Sequence, residues 1–189
     1  MIFARGWAVA VFGAVLAGCA STTITLTPSP QSPVCDPSAA TLVLWTPQWR
    51  PDQKDVAMRE EAAAAGLGKF LAGSRCFARS EVRRVRELGP ASVPTPADAA
   101  AGRFTHVVAI EVRELGPVVK VLSSAALVEG GTEVVLRITA YSVPAVGSPR
   151  AFTVHWRNGG PGVVRGVASL PADMQAALVA GLQPGTAAR

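Results

Sequence analysis

This 189-residue chain is poor in the residues that hold metals: it has two histidines and three cysteines. His106 and His155 lie far apart in sequence and far from Cys35 and Cys76, so the ligand spacing of a zinc site is missing. Neither histidine has a carboxylate or cysteine close enough in sequence for a catalytic triad. Both sit in strand patterns and read as structural histidines. Phosphate loops are missing too. Gly66-Leu67-Gly68-Lys69 lies inside a helical pattern, and Gly160-Pro161-Gly162 is followed by Arg165 where a dinucleotide fingerprint needs its third glycine. There is no Gly-x-Ser-x-Gly elbow and no Ser-x-x-Lys pair. Glu60 and Glu61 are adjacent, point about 100° apart on a helix and are expected to face solvent. Glu111 and Glu114 straddle a strand end. No acid/base couple emerges, so the expectation is a non-enzymatic protein without cofactor or metal. Nor does any compact run of Arg or Lys interleave with aromatics, which argues against nucleic-acid binding.

Long apolar runs are equally scarce. Residues 7–17 are uncharged and mostly apolar. Eleven helical residues reach about half-way across a ~30 Å hydrocarbon core, too short for a span and suited to a signal h-region. Arg5 supplies a sparse positive flank. The run closes on Leu16-Ala17-Gly18-Cys19, which resembles the lipobox of bacterial lipoproteins. That resemblance implies removal of residues 1–18 as a lipoprotein signal peptide and acylation of Cys19, with membrane lipid as the partner of the acylated cysteine. Ala20 and Ser21, rather than an aspartate, follow the cysteine. In similar signals this implies the periplasmic face of the outer membrane. The alternative is an ordinary secretory signal with Cys19 unmodified.

The net charge of +5 loses one arginine and no acid on such processing, so the basic balance survives. Fifteen of the basic residues are arginine and only Lys54, Lys69 and Lys120 are lysine. A charge this small suits an anionic envelope surface. With Cys19 set aside, Cys35 and Cys76 remain, and an even number in an oxidising compartment points to a disulfide. Two buried thiols are the alternative.

Residues 19–38 read as the lipidated cysteine and a Pro/Ser/Thr-rich, disordered tether, with Pro28, Pro30, Pro33 and Pro37. Such composition buries little apolar surface against its ordering entropy. The folded domain is expected over 39–183, with 184–189 as a flexible tail. Residues 41–45 are apolar on both faces, as in a covered strand. Asp52 and Asp55 resemble an acid-rich helix start, and Val56, Ala63, Leu67, Phe70 and Leu71 keep helical spacing up to a stop at Gly73. A second strand opens at Cys76 and runs to about Arg86. Thr95-Pro96 starts a short helix ending near Gly102. A strand follows over 104–112, turned by Gly116-Pro117, with a return strand over 118–122. Glu129-Gly130-Gly131 marks another turn. Residues 133–140 and 151–157 alternate with period two around a turn at 144–149, and 158–162 reads as a flexible loop. Leu170, Met174, Leu178 and Leu182 share one face of a last helix capped by Ser169. The fold class is therefore α+β: a mixed sheet of about five strands with two longer helices on one side, preceded by a signal peptide and disordered tether.

Gly102-Arg103-Phe104-Thr105-His106-Val107-Val108-Ala109-Ile110-Glu111-Val112, a helix end followed by a strand, is similar to the TolB amino-terminal-like and curli-secretion-type lipoprotein domains. The order of elements over 39–183 and the later hairpin follow theirs. The second helix is shorter than theirs, and the hairpin turn Val143-Pro144-Ala145-Val146-Gly147-Ser148 lacks their acidic glycine turn. The resemblance implies a non-enzymatic envelope component that assembles with an envelope protein partner or as a homo-oligomer. A lipid- or small-molecule-binding lipoprotein is the alternative. Candidate partner or anion contacts are Arg84 and Arg86, which share a strand face, and Trp49, set between Pro47 and Pro51. Arginines on a strand also protect an exposed sheet edge, and Trp49 also suits packing on the first helix turn.

Overall fold

A computed structural model describes residues 20–88, 103–122, 127–143 and 148–184. In chain order the elements are β1 (Ser21–Thr27), β2 (Asp36–Pro47), α1 (Val56–Ser74), β3 (Phe77–Arg84), β4 (His106–Leu122), β5 (Leu127–Ser142), β6 (Arg150–Pro161), a 3-10 turn (Val167–Ser169) and α2 (Leu170–Leu182). The six strands form one mixed sheet in the order β1-β6-β5-β4-β2-β3. β2 runs parallel to β3 and β4, and every other pair is antiparallel.

Alternation along each strand explains where the core sits. Val43, Trp45, Val108, Ile110, Leu136, Ile138, Val154 and Trp156 face Leu67 and Phe70 of α1 and Met174 and Leu178 of α2. The two helices therefore cover the same face of the sheet. Leu42 and Leu44 point the other way and join Phe104 and Val107 in a smaller cluster. That is why β2 reads as a continuous apolar run: both of its faces are covered.

The sheet has six strands rather than five because residues 21–27 pair with β6 from Ser21↔Gly159 to Thr27↔Thr153. This corrects the tether. Thr22, Thr23, Ile24 and Thr25 are β-branched and fit a pleated edge, and Leu26 packs on the main core. The following prolines belong to the crossing from β1 to β2. There Val34 and Cys35 donate their backbone N–H groups to the Leu182 carbonyl at 2.9 and 3.2 Å. The described fold thus begins at Ser21, not at residue 39.

Glycine and proline produced the other differences. Gly116-Pro117 does not turn the chain; β4 passes through it, with Pro117 opposite Thr132. β2 pairs with β4 only as far as Pro47↔Val112, so Pro117 stands where β4 lacks that neighbour and its missing N–H costs no ladder bond. Residues 118–122 continue β4 instead of returning. Gly130 and Gly131 lie within β5, and 158–161 within β6, so neither is a turn or loop. A Cβ on Gly131 would stand 2.4 Å from the Asn158 carbonyl oxygen, so glycine is needed for strand approach. The helix ends also differ. α1 passes Gly73 and stops at Arg75, which takes the left-handed conformation (φ 49°). Asp55 and Ser169 make no side-chain capping bond; Ser169 Oγ donates to Asp173 Oδ2 instead, at 2.8 Å. The expected helix near 96–102 and residues 144–147 of the expected turn lie outside the described residues, as do Cys19 and residues 185–189 of the tail.

Two devices tie the layers together. Cys35 and Cys76 form a disulfide that joins the start of β2 to the end of the α1–β3 connection. At the opposite end of α1, Arg59 is buried over β4. Its Nη1 donates to Glu114 Oε1 at 3.0 Å and to the Leu115 carbonyl at 2.6 Å, while Nε donates to the Lys54 carbonyl at 2.9 Å. Gly116 makes room: a Cβ there would stand 1.7 Å from Arg59 Nη1.

Replacing both Cys35 and Cys76 with Ser is expected to lower unfolding free energy by about 2–4 kcal/mol, because the bridge closes a loop of sequence separation 41. Urea titration measures this, and an unchanged midpoint would contradict it. Glu114→Leu leaves the Arg59 guanidinium without its carboxylate and is expected to cost about 3 kcal/mol. An Arg59→Met/Glu114→Leu double variant recovers most of that loss; a cycle showing simple additivity would remove the coupling.

Candidate functional site

β2, the first half of α1 and the end of β3 meet at an open cleft of about 530 Å³, lined by Thr46, Pro47, Glu60, Arg84, Val85 and Arg86. The residues just after β3 are held to β2: the Val85 N–H donates to the Trp45 carbonyl at 2.9 Å, and the Thr46 hydroxyl donates to the Arg86 carbonyl at 3.0 Å. Arg84 leans over the buried Trp45 ring, 5.5 Å from its centroid, and donates to Glu60 Oε2 at 2.6 Å. Trp49 Nε1 donates to the other oxygen, Glu60 Oε1, at 3.3 Å. Two of the three residues singled out from sequence, Arg84 and Trp49, are therefore gathered around one carboxylate, while Arg86 lines the same cleft. Trp49 is half-buried and packs against the main core, so it serves more as a wall than as a free surface ring.

The electrostatics follow from this placement. Glu60 neutralises Arg84, and the Arg84 side chain is 54% exposed, so the ion pair contributes little stability. It holds the guanidinium over the Trp45 ring. The exposed Arg86 side chain, also lining the cleft, leaves the site basic. On the other face of β3, Arg83 and Arg103 pair with Glu81 at 2.7 and 3.3 Å. Arg79 donates to the Arg103 carbonyl at 2.5 Å. The two strand faces thus divide the arginines as the alternation predicts, and Arg84 lies on the side of the helices. What this arrangement can do chemically is bind: a fixed planar cation beside a second cation, over an aromatic floor, matches a carboxylate or phosphate.

Both histidines acquire carboxylate neighbours that sequence distance hid. His155 Nε2 meets Glu133 Oε1 across the β5–β6 pairing. His106 lines a second depression of about 400 Å³ with Asp36, Tyr141 and Arg150. The Ser38 hydroxyl and backbone N–H, at 2.6 and 2.9 Å, hold the Asp36 carboxyl below the usual carboxylate range, with a smaller contribution from His106. Among the described residues no three His, Cys, Asp or Glu side chains converge to hold a metal ion.

Glu60, expected to face solvent, is the residue the sequence reading missed. Its signal was present: Val56, Glu60, Ala63, Leu67 and Phe70 occupy one helical stripe, so Glu60 interrupts an apolar face. Arg59 carries the same signal beside the buried Ala62 and Ala63.

No family model and no curated protein matches the chain. Solved structures do. A PelC dodecamer from Paraburkholderia phytofirmans is 14% identical, with a TM-score of 0.45, covering 84% of this chain and 95% of that one. A leucine-to-methionine variant of that PelC, also a dodecamer, is 12% identical, with a TM-score of 0.46, covering 84% and 96%. A neuraminyllactose-binding hemagglutinin homolog from Helicobacter pylori is 13% identical, with a TM-score of 0.39, covering 79% and 85%. At these identities and TM-scores the likenesses assign no family and no role to this chain.

Proposed function

We propose that this chain is a lipoprotein of the cell envelope. Residues 1–18 are removed, Cys19 is acylated, and the domain stands at the periplasmic face of the outer membrane. There it acts without catalysis, as an interaction or assembly component that binds an envelope protein or a second copy of itself. The observation that carries this reading is the lipobox-like Leu16-Ala17-Gly18-Cys19 placed directly before a domain closed by the Cys35–Cys76 disulfide. A structural disulfide belongs to an oxidising compartment, which is where such a signal delivers a protein.

The interaction half of the reading is supported by β3. It ends the sheet, and its outer edge has no strand beyond it among the described residues. Val82 is exposed at its middle, and Arg84 and Arg86 stand at its end. An edge of this kind accepts an added strand, while the arginines limit which segments are tolerated. The strand–helix–strand order and the β5–β6 hairpin support the likeness to TolB amino-terminal-like and curli-secretion-type domains. The second reading, carriage of lipid or a small molecule, is favoured by one observation: a groove of about 600 Å³ between β1 and α2, lined in part by Ile24, Trp156, Ala176 and Val179. Lipid retained by the purified protein in this groove would bring that reading forward.

Membrane fractionation with mass spectrometry of the mature amino terminus tests the anchor. The wild-type protein is expected in the membrane pellet after a high-salt wash, with an acylated Cys19; Cys19→Ala is expected in the soluble fraction, still folded. Equal retention of both variants would overturn the anchor. For the partner surface, a photo-crosslinker at Val82 in intact cells is expected to give one dominant product. Arg84→Ala/Arg86→Ala is expected to weaken that association about tenfold, equivalent to ~1.4 kcal/mol. Undiminished crosslinking would remove the two arginines from the surface.

A further inference from the structure

We infer that the end of the sheet nearest Cys19, marked by Val119, Val164 and Val167, is a membrane-contacting surface that seats in the same bilayer as the lipid anchor. This deepens the proposal above and rests on the acylation of Cys19. Its starting point is the register. Ser21 pairs with Gly159, Gly159 with Gly131, and Gly131 with Val118, so one row crosses the sheet from β1 to β4. Three strand spacings separate the ends of that row, about 14 Å. Cys19 precedes Ser21 by two residues and so lies within roughly 7 Å of it. There is no long spacer to lift the domain away: the segment that would have been the tether is β1 itself.

The apolar surface lies just beyond that row. Val119 pairs with Gly130 and is 67% exposed. The chain leaving β6 turns back over Gly130, where a Cβ would stand 2.0 Å from the Val163 carbonyl oxygen. The next residue, Val164, is 90% exposed, and Val167 follows at 36% on the turn that leads into α2. Single exposed valines are ordinary. Three at the one end of the sheet that also carries the anchor are not scattered. β4 and β5 continue past the row as a two-stranded ribbon: pairing with β6 ends at Glu129↔Pro161, whereas β4 and β5 stay paired to Leu122↔Leu127. Beyond Glu129 that ribbon reads Val-Leu on β4 and Leu-Val on β5, an apolar sequence with no third strand among the described residues. Arg165 is balanced at this end by Asp173, with Nη1 3.4 Å from Oδ1. The inference therefore stands on apolar contact with acyl chains and headgroup carbons, not on net charge.

The test uses the full-length lipidated protein in phosphatidylethanolamine/phosphatidylglycerol vesicles whose acyl chains carry bromine. Val164→Trp and, as a control on the exposed face of α1, Lys69→Trp are compared with the unsubstituted protein. Mass spectrometry confirms the acyl groups on each sample. The expected result is a blue-shifted emission from Trp at 164, quenched several-fold more by the brominated lipid than Trp at 69. Equal quenching at both positions in acylated protein would overturn the surface and leave the anchor standing. Loss of the acyl mass at Cys19 in the wild-type protein would overturn both. A blue shift at 164 that appears without vesicles and grows with protein concentration would assign the patch to a second copy and likewise overturn the bilayer contact.

Discussion

Burial of one sheet face under two helices is the constraint on which the other features of this protein depend. Six strands present Val43, Ile110, Leu136 and Val154 to α1 and α2, and that shared core fixes how far each helix can slide. Close packing leaves little room for charge. Where charge does enter, it is at the margins of the helical layer: Arg59 at the start of α1, satisfied by Glu114 and two carbonyls, and Glu60 beside it, satisfied by Arg84 and Trp49. These adjacent residues point to different strands, one to β4 and one to β3. The core thus positions the cleft at Arg84 indirectly. α1 cannot shift along the sheet without breaking the Arg59 contacts, and Glu60 moves with it.

The far end of the same layer is closed by covalent and backbone links. The Cys35–Cys76 bridge and the two N–H bonds to the Leu182 carbonyl gather the start of β2, the end of α1 and the end of α2. Because β1 lies immediately before this junction in sequence, the prolines that follow it have a structural task. They carry the chain from one edge of the sheet at β1 to an interior strand at β2.

What was legible in the sequence is what local periodicity encodes. Residues 134–138 and 152–156 alternate because one face is covered, and 41–45 do not alternate because both faces are. The last helix was readable from Leu170, Met174, Leu178 and Leu182 for the same reason. The illegible parts depend on neighbours distant in the chain. Gly130 and Gly131 signal a turn locally, yet they are required because Asn158 and Val163 approach from another strand and a following loop. Pro117 is tolerated only because β2 has already ended. The threonine-rich stretch 22–25 resembles a tether by composition, but an edge strand needs a partner on one side alone. In the site, the types of residue were visible and their grouping was not. Nothing local links Arg84 to Glu60, 24 positions earlier.

The reassignment of β1 also changes what the arginine cleft can meet. Under the proposed acylation of Cys19, two residues before Ser21, the bilayer would lie at the end of the sheet where β4 passes Val118. Arg84 is level with Trp45 and Ile110. From Ile110 to Val118, allowing for the bulge at Arg113, the strand advances about 23 Å. Screening reduces the attraction between exposed charges beyond a Debye length of about 8 Å. Lipid phosphates in a plane set by an acylated Cys19 would therefore be too far to engage Arg84 or Arg86. Under the same proposal a carboxylate- or phosphate-bearing partner would reach the cleft from the side away from the bilayer, at β3, the sheet edge opposite β1. On the proposed anchoring the two arginines would face a protein partner, and the valines at the Ser21 end of the sheet would face the membrane.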